Sequence, residues 1–293
     1  MAWYHAFPAA LDIPEGQVSR RLHVVGRDGE REIVVGVRFA GTEEEEVYSF
    51  SNEGAVRWRY RPTETLRFGG EPFTGPWRIG DVLIEEDGQA TWVAFTHHTW
   101  WPSFVVRIDE QGRGDIRFVS TGWVTELELF RNGSGSYIVA GGLNNEYDAG
   151  ALAILDPTRP AARSPQTPDS PYTCISCPTA QPHRYFVFPR SELNTVTGSP
   201  ANIVRMIRTL PDKLEVRTEE VNDSSVQSFG VYELRGDFSL AAASVTDLYW
   251  DLHRRLEKEG RISHTADTCR RERSFSDKIR VWRGDGTEHA SLK

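Results

Sequence analysis

The chain has 293 residues, of which 39% are hydrophobic and 11% are aromatic, so it is long enough to bury a sizeable core. Its formal net charge of -8 argues against a general nucleic-acid binder, because neutralising phosphates requires a basic face. We therefore expect one domain over residues 1–293 that does not bind nucleic acid.

The sequence of the first residues predicts neither a leader nor a membrane anchor. Met1 to Pro8 lacks a basic region followed by an apolar one, and no run in the chain approaches the ~18 apolar residues that span a bilayer. Pro8, Pro14 and Gly16 interrupt any regular period. The sequence predicts an irregular lead-in over residues 1–20 and no membrane span.

One strand pattern recurs three times: an apolar run after a tight turn, then a second apolar run. The unit repeats every ~45 to 60 residues, which is the range of propeller blades. The pattern predicts an all-β fold, a β-propeller of about five blades, with six or seven smaller blades as the alternative. The three copies cover residues 32–60, 91–118 and 136–157.

Turns and connections follow the same logic. Asp28-Gly29, Asp87-Gly88 and Asn132-Gly133 open the three repeats, and such pairs supply the positive φ angles of tight hairpins. Residues 157–182 are rich in Pro, Ser and Thr, and strand-like sequence resumes at Tyr185. We expect this stretch to be a long connection on the rim rather than a domain linker.

One helix is predicted near the C-terminus, over residues 246–259. Thr246 is placed to cap it, a leucine recurs every four residues from Leu248 to Leu256, and Gly260 ends it. The late strand 279–283 would allow the two termini to pair within one blade, which would remove free sheet edges.

Glu32 to Val37 and Tyr48 to Trp58 resemble the integrin-like FG-GAP or VCBS repeats of bacterial propeller domains, and Asn144 to Asp156 is similar to a related stretch. The resemblance covers about residues 21–160 and again the end of the chain. Such domains often form the extracytoplasmic part of membrane-anchored regulators. The resemblance thus implies a periplasmic or extracytoplasmic location if this chain is part of a longer protein, and a cytoplasmic one otherwise.

The chain departs from this family in its loops. Family members bind calcium through several aspartates, since a hard cation takes about six to eight oxygen ligands. The matching loops here, residues 26–31, 85–89 and 131–135, keep the turn but contain too few carboxylates. We expect degenerate calcium loops, with no metal and no cofactor.

Cys174 and Cys177 have the spacing of a zinc-binding pair. His183, His264 and Cys269 are the candidates for the two further ligands that a structural zinc would need. A reversible disulfide and unpaired buried thiols are the alternatives, and unpaired thiols agree best with the absence of a second Cys-x-x-Cys.

Two loops at matching repeat positions form the predicted binding mouth, and the acidic loop 41–46 holds the same position in the first repeat. Paired Trp rings suit sugar faces or cations, and loops at equivalent positions line one end of a propeller. The candidate binding residues are His97, His98, Trp100 and Trp101 in one loop and Asn144, Asn145, Glu146 and Tyr147 in the other.

These features predict a non-catalytic binding or sensor protein that recognises a protein partner or a small-molecule ligand. The chain contains no nucleophile elbow, His-Glu-x-x-His helix, phosphate loop or dinucleotide turn. The alternative is a propeller hydrolase or lyase that uses His97 or His98 with Glu146. A structural platform in a larger complex is the third hypothesis.

Overall fold

Antiparallel meanders dominate the structure, because alternating apolar residues are interrupted by tight Gly, Asn and Asp turns. Among the described residues, four sheets of four or more strands follow one another along the chain, with a two-stranded hairpin after the first. The computed structural model describes residues 5–7, 22–27, 30–40, 43–85, 88–98, 102–221, 228–271 and 278–290.

The first sheet is a simple meander in chain order, and its second and third strands pair from Glu32 with Ser51 to Arg38 with Glu45. The hairpin that follows packs its apolar side chains into the core between the first and second sheets. The strands are β1 (Leu22–Arg27), β2 (Glu30–Arg38), β3 (Glu45–Ser51) and β4 (Val56–Tyr60), then β5 (Leu66–Phe68) and β6 (Glu71–Phe73) in the hairpin.

The second sheet is a meander of four antiparallel strands with one short parallel addition. That addition comes from the 157–182 connection, which therefore lies against this sheet. The strands are β7 (Trp77–Ile84), β8 (Ala90–His97), β9 (Ser103–Asp109) and β10 (Gly114–Ser120), with β14 (Ala162–Arg163) beside β10.

The third sheet has six strands and includes the last strands of the chain. The pairing of Arg184 with Arg283 begins the contact between β15 and β20, so the late strand extends this sheet. The expectation that it would pair with the N-terminal strand is wrong. The strands are β11 (Val124–Asn132), β12 (Gly135–Asn144), β13 (Ala149–Leu155), β15 (Arg184–Val187), β20 (Arg280–Arg283) and β21 (Glu288–Ala290).

The fourth sheet is again a meander in chain order. Its central pair runs from Lys213 opposite Arg235 to Glu219 opposite Phe229. The strands are β16 (Ile203–Leu210), β17 (Lys213–Glu219), β18 (Phe229–Arg235) and β19 (Leu240–Val245).

Consecutive sheets pack face to face, and alternation along each strand assigns side chains to the two faces. On β8, Val93 and Phe95 face the core shared with the first sheet, whereas Trp92 and Ala94 face the core shared with the third. A third cluster fills the space between the third and fourth sheets, where Val139 and Val216 are fully buried. Each inner sheet thus has two apolar faces.

The fourth sheet differs from the inner sheets on the face that points away from the third sheet, where charged residues replace apolar ones. Lys213 bonds Glu233 at 3.0 Å, Arg217 lies 2.8 Å from Glu215, and both pairs are partly exposed. Salt-bridged side chains belong on a solvated face, because burial of an ion pair costs several kcal/mol of desolvation per ion. Within the described residues, this sheet therefore packs only one face in the sheet stack.

Three helices lie outside the sheets in the described part of the chain, and the sequence predicts only the long one. Its buried face is formed by Tyr249, Leu252, His253 and Leu256, whereas Leu248, which we expected in that stripe, is 52% exposed. The side chain of Thr246 makes no cap bond. The helices are α1 (Glu192–Val196), α2 (Asp247–Lys258) and α3 (Ala266–Arg271).

The all-β, propeller-like fold with a helix near the C-terminus is confirmed by this succession of blade-like sheets. The number of blades stays a prediction, as does the assignment of the whole chain to one domain. No described helix is long and apolar enough to cross a membrane.

Candidate functional site

The predicted binding loops occupy the same position in three successive meanders. Residues 39–44, 98–102 and 145–148 each join the second strand of a meander to the third. The equivalent connection of the fourth sheet is 220–228. We call these connections the upper turns.

The first two upper turns border one open cleft of about 900 Å³. Glu43 lies between them: one carboxylate oxygen is 2.8 Å from the Arg78 guanidinium, and the other is 3.7 Å from Nδ1 of His98. The cleft is lined by Glu43, Glu44, Glu45, Arg61, Pro62, Thr63, Thr74, Gly75, Pro76, Trp77 and His98.

His97 and His98 have different surroundings, although they are neighbours. His97 is buried and packs edge-on against Trp77 and Phe73, and its Nε2 lies 3.3 Å from the carbonyl oxygen of Gly75. His98 is exposed in the cleft. Of the two, His98 can reach a ligand, while His97 is part of the core. Trp100 and Trp101 lie outside the described residues.

The Asn144 to Tyr147 loop does not line this cleft. Asn144 is fully buried, accepts a hydrogen bond from Thr121 Oγ1 at 3.2 Å and donates to the Tyr185 hydroxyl at 2.8 Å. Asn145 is also buried and donates to the carbonyl oxygen of Thr121 at 2.7 Å. These two amides link the end of β12 to β15 and to the turn before β11, so they act in the packing of the third sheet rather than in the cleft.

The other two residues of that loop are similarly engaged. The Glu146 carboxylate accepts a hydrogen bond from Ser170 Oγ at 2.6 Å. The Tyr147 ring lies against Trp282, with the Arg280 guanidinium 4.3 Å from its centroid. Burial raises the pKa of the Tyr147 hydroxyl, so the ring remains neutral at physiological pH.

The two cysteines of the Cys-x-x-Cys motif form a disulfide with a Cα–Cα distance of 5.6 Å. Cys174 is buried in the cluster between the first and second sheets, and Cys177 packs against the same cluster. The expectation of unpaired thiols is wrong, and a shared zinc is not the arrangement at this pair.

A second group of potential ligands lies among the helices. Glu192 is the first residue of α1, His253 lies on the buried face of α2, His264 precedes α3, and Cys269 belongs to α3. Their ligand atoms all lie within 4.8 Å of one another. We call these four residues the helical cluster.

Two members of this cluster, His264 and Cys269, are candidate metal ligands in the sequence, but with other partners than the structure gives them. His264 and Cys269 were candidate ligands for a zinc at Cys174, yet they converge with His253 and Glu192 instead. His253 looked like part of an amphipathic helix, and Glu192 lies about sixty residues earlier in the chain. The available signal was local: two His and one Cys within seventeen residues of helix and turn.

Burial affects the chemistry of the cluster. Desolvation lowers the pKa of His253, which keeps its imidazole neutral at physiological pH. The neutral ring is the form that binds a metal ion.

Comparisons with known proteins give little beyond this geometry. No family model and no curated protein matches the chain. A hypothetical protein from Leishmania major is similar over 82% of this chain and 73% of its own, with a TM-score of 0.35 and 10% identity. The Dos1 propeller is similar over 78% of this chain and 62% of its own, with a TM-score of 0.32 and 8% identity. We base no argument on scores this low, and the resemblance to FG-GAP or VCBS repeats stays a prediction.

Proposed function

We propose that the protein is a non-catalytic binding scaffold that holds a basic segment of a protein partner in the cleft between the first two upper turns. The observation that carries this proposal is the lining of the cleft. The accessible carboxylates of Glu43 and Glu44 line it beside the guanidinium of Arg61, while the third lining glutamate, Glu45, is buried and accepts a hydrogen bond from the Ile79 backbone nitrogen at 2.5 Å.

The charge of the cleft favours a cationic ligand. Glu43 pairs with Arg78 at 2.8 Å and Glu44 pairs with Arg61 at 2.5 Å, so the three lining carboxylates and these two guanidinium groups leave a local excess of one negative charge. A concave surface lined by one sign of charge concentrates oppositely charged partners and increases their association rates. The formal net charge of -8 acts in the same direction.

The surroundings of the histidines support binding over catalysis. A hydrolase or lyase would need a histidine and a carboxylate within about 3.2 Å of one another or of the substrate proton. His98 lies 3.7 Å from Glu43 in an exposed pair, His97 packs in the core, and Glu146 bonds Ser170. The proposed catalytic pair of His97 or His98 with Glu146 is therefore not favoured by these contacts.

The test is fluorescence anisotropy with a labelled hexa-arginine peptide at low and at physiological salt. The double variant Glu43→Gln/Glu44→Gln should weaken binding by about tenfold, because it removes two carboxylates and frees the guanidinium groups of Arg78 and Arg61 to repel the peptide.

The matched control is Glu53→Gln/Glu110→Gln, which changes the net charge equally but lies in turns outside the cleft. We expect this variant to bind within about twofold of the wild type, because long-range charge is screened beyond about 10 Å. Equal weakening in both variants, or no binding of the peptide by the wild type, would overturn the proposal.

A further inference from the structure

The helical cluster is built by three short structural segments that share no sheet. Glu192 begins α1 directly after its capping residue Ser191, whose side chain accepts a hydrogen bond from the Asn194 backbone. His253 is fully buried on α2. His264 and Cys269 follow on the segment that turns back into α3. Four potential ligands from these segments meet at one point.

The distances between the four ligand atoms are those of a small polyhedron. His253 Nε2 lies 3.4 Å from His264 Nε2, 3.2 Å from Cys269 Sγ and 3.7 Å from a Glu192 carboxylate oxygen. That oxygen is 2.9 Å from His264 Nε2 and 3.8 Å from the sulfur, and the last pair, His264 Nε2 and Cys269 Sγ, is 2.7 Å apart.

Four of these six separations match tetrahedral coordination. Zinc binds His nitrogen and carboxylate oxygen at about 2.0–2.2 Å and thiolate sulfur at about 2.3 Å. In a tetrahedron of such bonds, neighbouring ligand atoms lie about 3.3–3.7 Å apart. Four of the six observed distances lie within about 0.2 Å of that range, and the two distances below 3 Å both involve His264, which is partly exposed and has room to move.

We propose that Glu192, His253, His264 and Cys269 bind one zinc ion. The donor set selects the metal: two imidazoles and one thiolate suit zinc, whereas calcium and magnesium require oxygen ligands. This site is independent of the cleft, because the two share no residue.

The proposed zinc is structural, since four protein side chains fill a tetrahedral shell and leave no position for substrate. The position of the proposed zinc indicates which elements it would link. Leu193, Leu252, Leu256 and Ile262 form a small apolar cluster with Val221 at the upper turn of the fourth sheet. The three helices are too short to bury a large core by themselves. A metal link among α1, α2 and α3 would therefore add stability that packing alone does not supply.

The buried contacts behind Glu192 fix one ligand relative to the sheet. The backbone nitrogen of Ser191 donates to the Glu220 carboxylate at 3.0 Å, and Glu220 is itself fully buried at the end of β17. This contact fixes the backbone at the start of α1, where Glu192 lies, relative to the fourth sheet.

The test uses the full chain, stripped of metal by a chelator under mild reduction and then titrated with Zn²⁺ or Co²⁺. Calorimetry should give one zinc per chain, and Co²⁺ should give the visible bands of a tetrahedral site together with a thiolate-to-cobalt charge-transfer band. Zinc should also raise the unfolding temperature, because a ligand that binds only the folded chain stabilises it.

Variants identify the ligands. His264→Ala should weaken zinc binding by about 100-fold or more, and Cys269→Ser should abolish the thiolate band while the other ligands retain cobalt weakly. His264 and Cys269 are partly exposed, so these variants should fold even where the buried His253→Ala does not.

Two controls keep the test specific. Cys174→Ser/Cys177→Ser removes the disulfide and with it the other two cysteines, and His98→Ala removes the cleft imidazole. Both variants should bind zinc like the wild type. The proposal is overturned if wild-type chain binds no zinc, if His264→Ala binds as tightly as wild type, or if the thiolate band depends on Cys174 and Cys177. Failure of peptide binding in the cleft leaves these outcomes unchanged.

Discussion

The Ile108→Ala substitution should lower the free energy of unfolding by about 2–5 kcal/mol. Ile108 is fully buried on β9, in the cluster where the second sheet packs against the first. Removing most of its side chain loses the transfer free energy of three carbons and leaves a cavity between two sheets that relax only partially. Chemical denaturation followed by fluorescence and circular dichroism measures the change.

Ile175→Ala is the matched control, because it makes the same chemical change at a side chain that is 66% exposed. We expect an effect of less than about 0.5 kcal/mol there. Similar losses at the two positions would contradict the packing of the first sheet on the second, since the difference depends only on burial.

The Glu220→Ala substitution should cost about 2–4 kcal/mol, although it removes a charged group from the interior. The Glu220 carboxylate is fully buried and accepts hydrogen bonds from Thr218 Oγ1, Asn202 Nδ2 and the Ser191 backbone nitrogen. Truncation leaves these donors buried without an acceptor. Glu219→Ala is the control at the neighbouring residue. The Glu219 carboxylate forms a partly exposed pair with Arg205, which should contribute under about 1 kcal/mol.

The pH dependence of stability tests the same residue. Burial raises the pKa of Glu220, and the three hydrogen bonds only partly oppose that effect. The folded chain then binds more protons than the unfolded chain between pH about 4.3 and the raised pKa. The contribution of Glu220 to stability is therefore fully present at low pH and is lost as the pH rises through the raised pKa.

Comparison with Glu220→Gln isolates that contribution, since every other group titrates equally in the two proteins. The stability of the wild type relative to Glu220→Gln should fall as pH rises above about 4.3, measured by denaturant unfolding across that range. A relative stability that rises instead would show that the hydrogen bonds dominate over burial and lower the pKa.

The strands were predictable because they carry local signals. The apolar runs at Val93, Val106 and Ile138 alternate with turns that contain Gly, and the structure places each in a central strand of a sheet. The destination of the last strand was not predictable in this way, because the residues of β20 carry no mark of whether they pair with β1 or β15.

The candidate sites also divide into features that local sequence predicts and features that depend on distant parts of the chain. The equivalence of the upper turns follows from the repeat, and His98 and Glu43 of two such turns line one cleft; that they bind a ligand stays a prediction. Whether Asn144 faces solvent or bonds Tyr185 depends on a strand forty residues later, so its burial could not be read locally. The helical cluster could not be predicted for the same reason, because the four strands of the fourth sheet separate Glu192 from His253 in the chain.

Zinc K-edge X-ray absorption of the metal-loaded full chain is the most direct test of the zinc site. We expect a four-coordinate shell with one sulfur at about 2.3 Å and three nitrogen or oxygen atoms at about 2.0–2.2 Å, and loss of the sulfur in Cys269→Ser. A shell of six light atoms with no sulfur, or a sulfur that persists in Cys269→Ser, would contradict it.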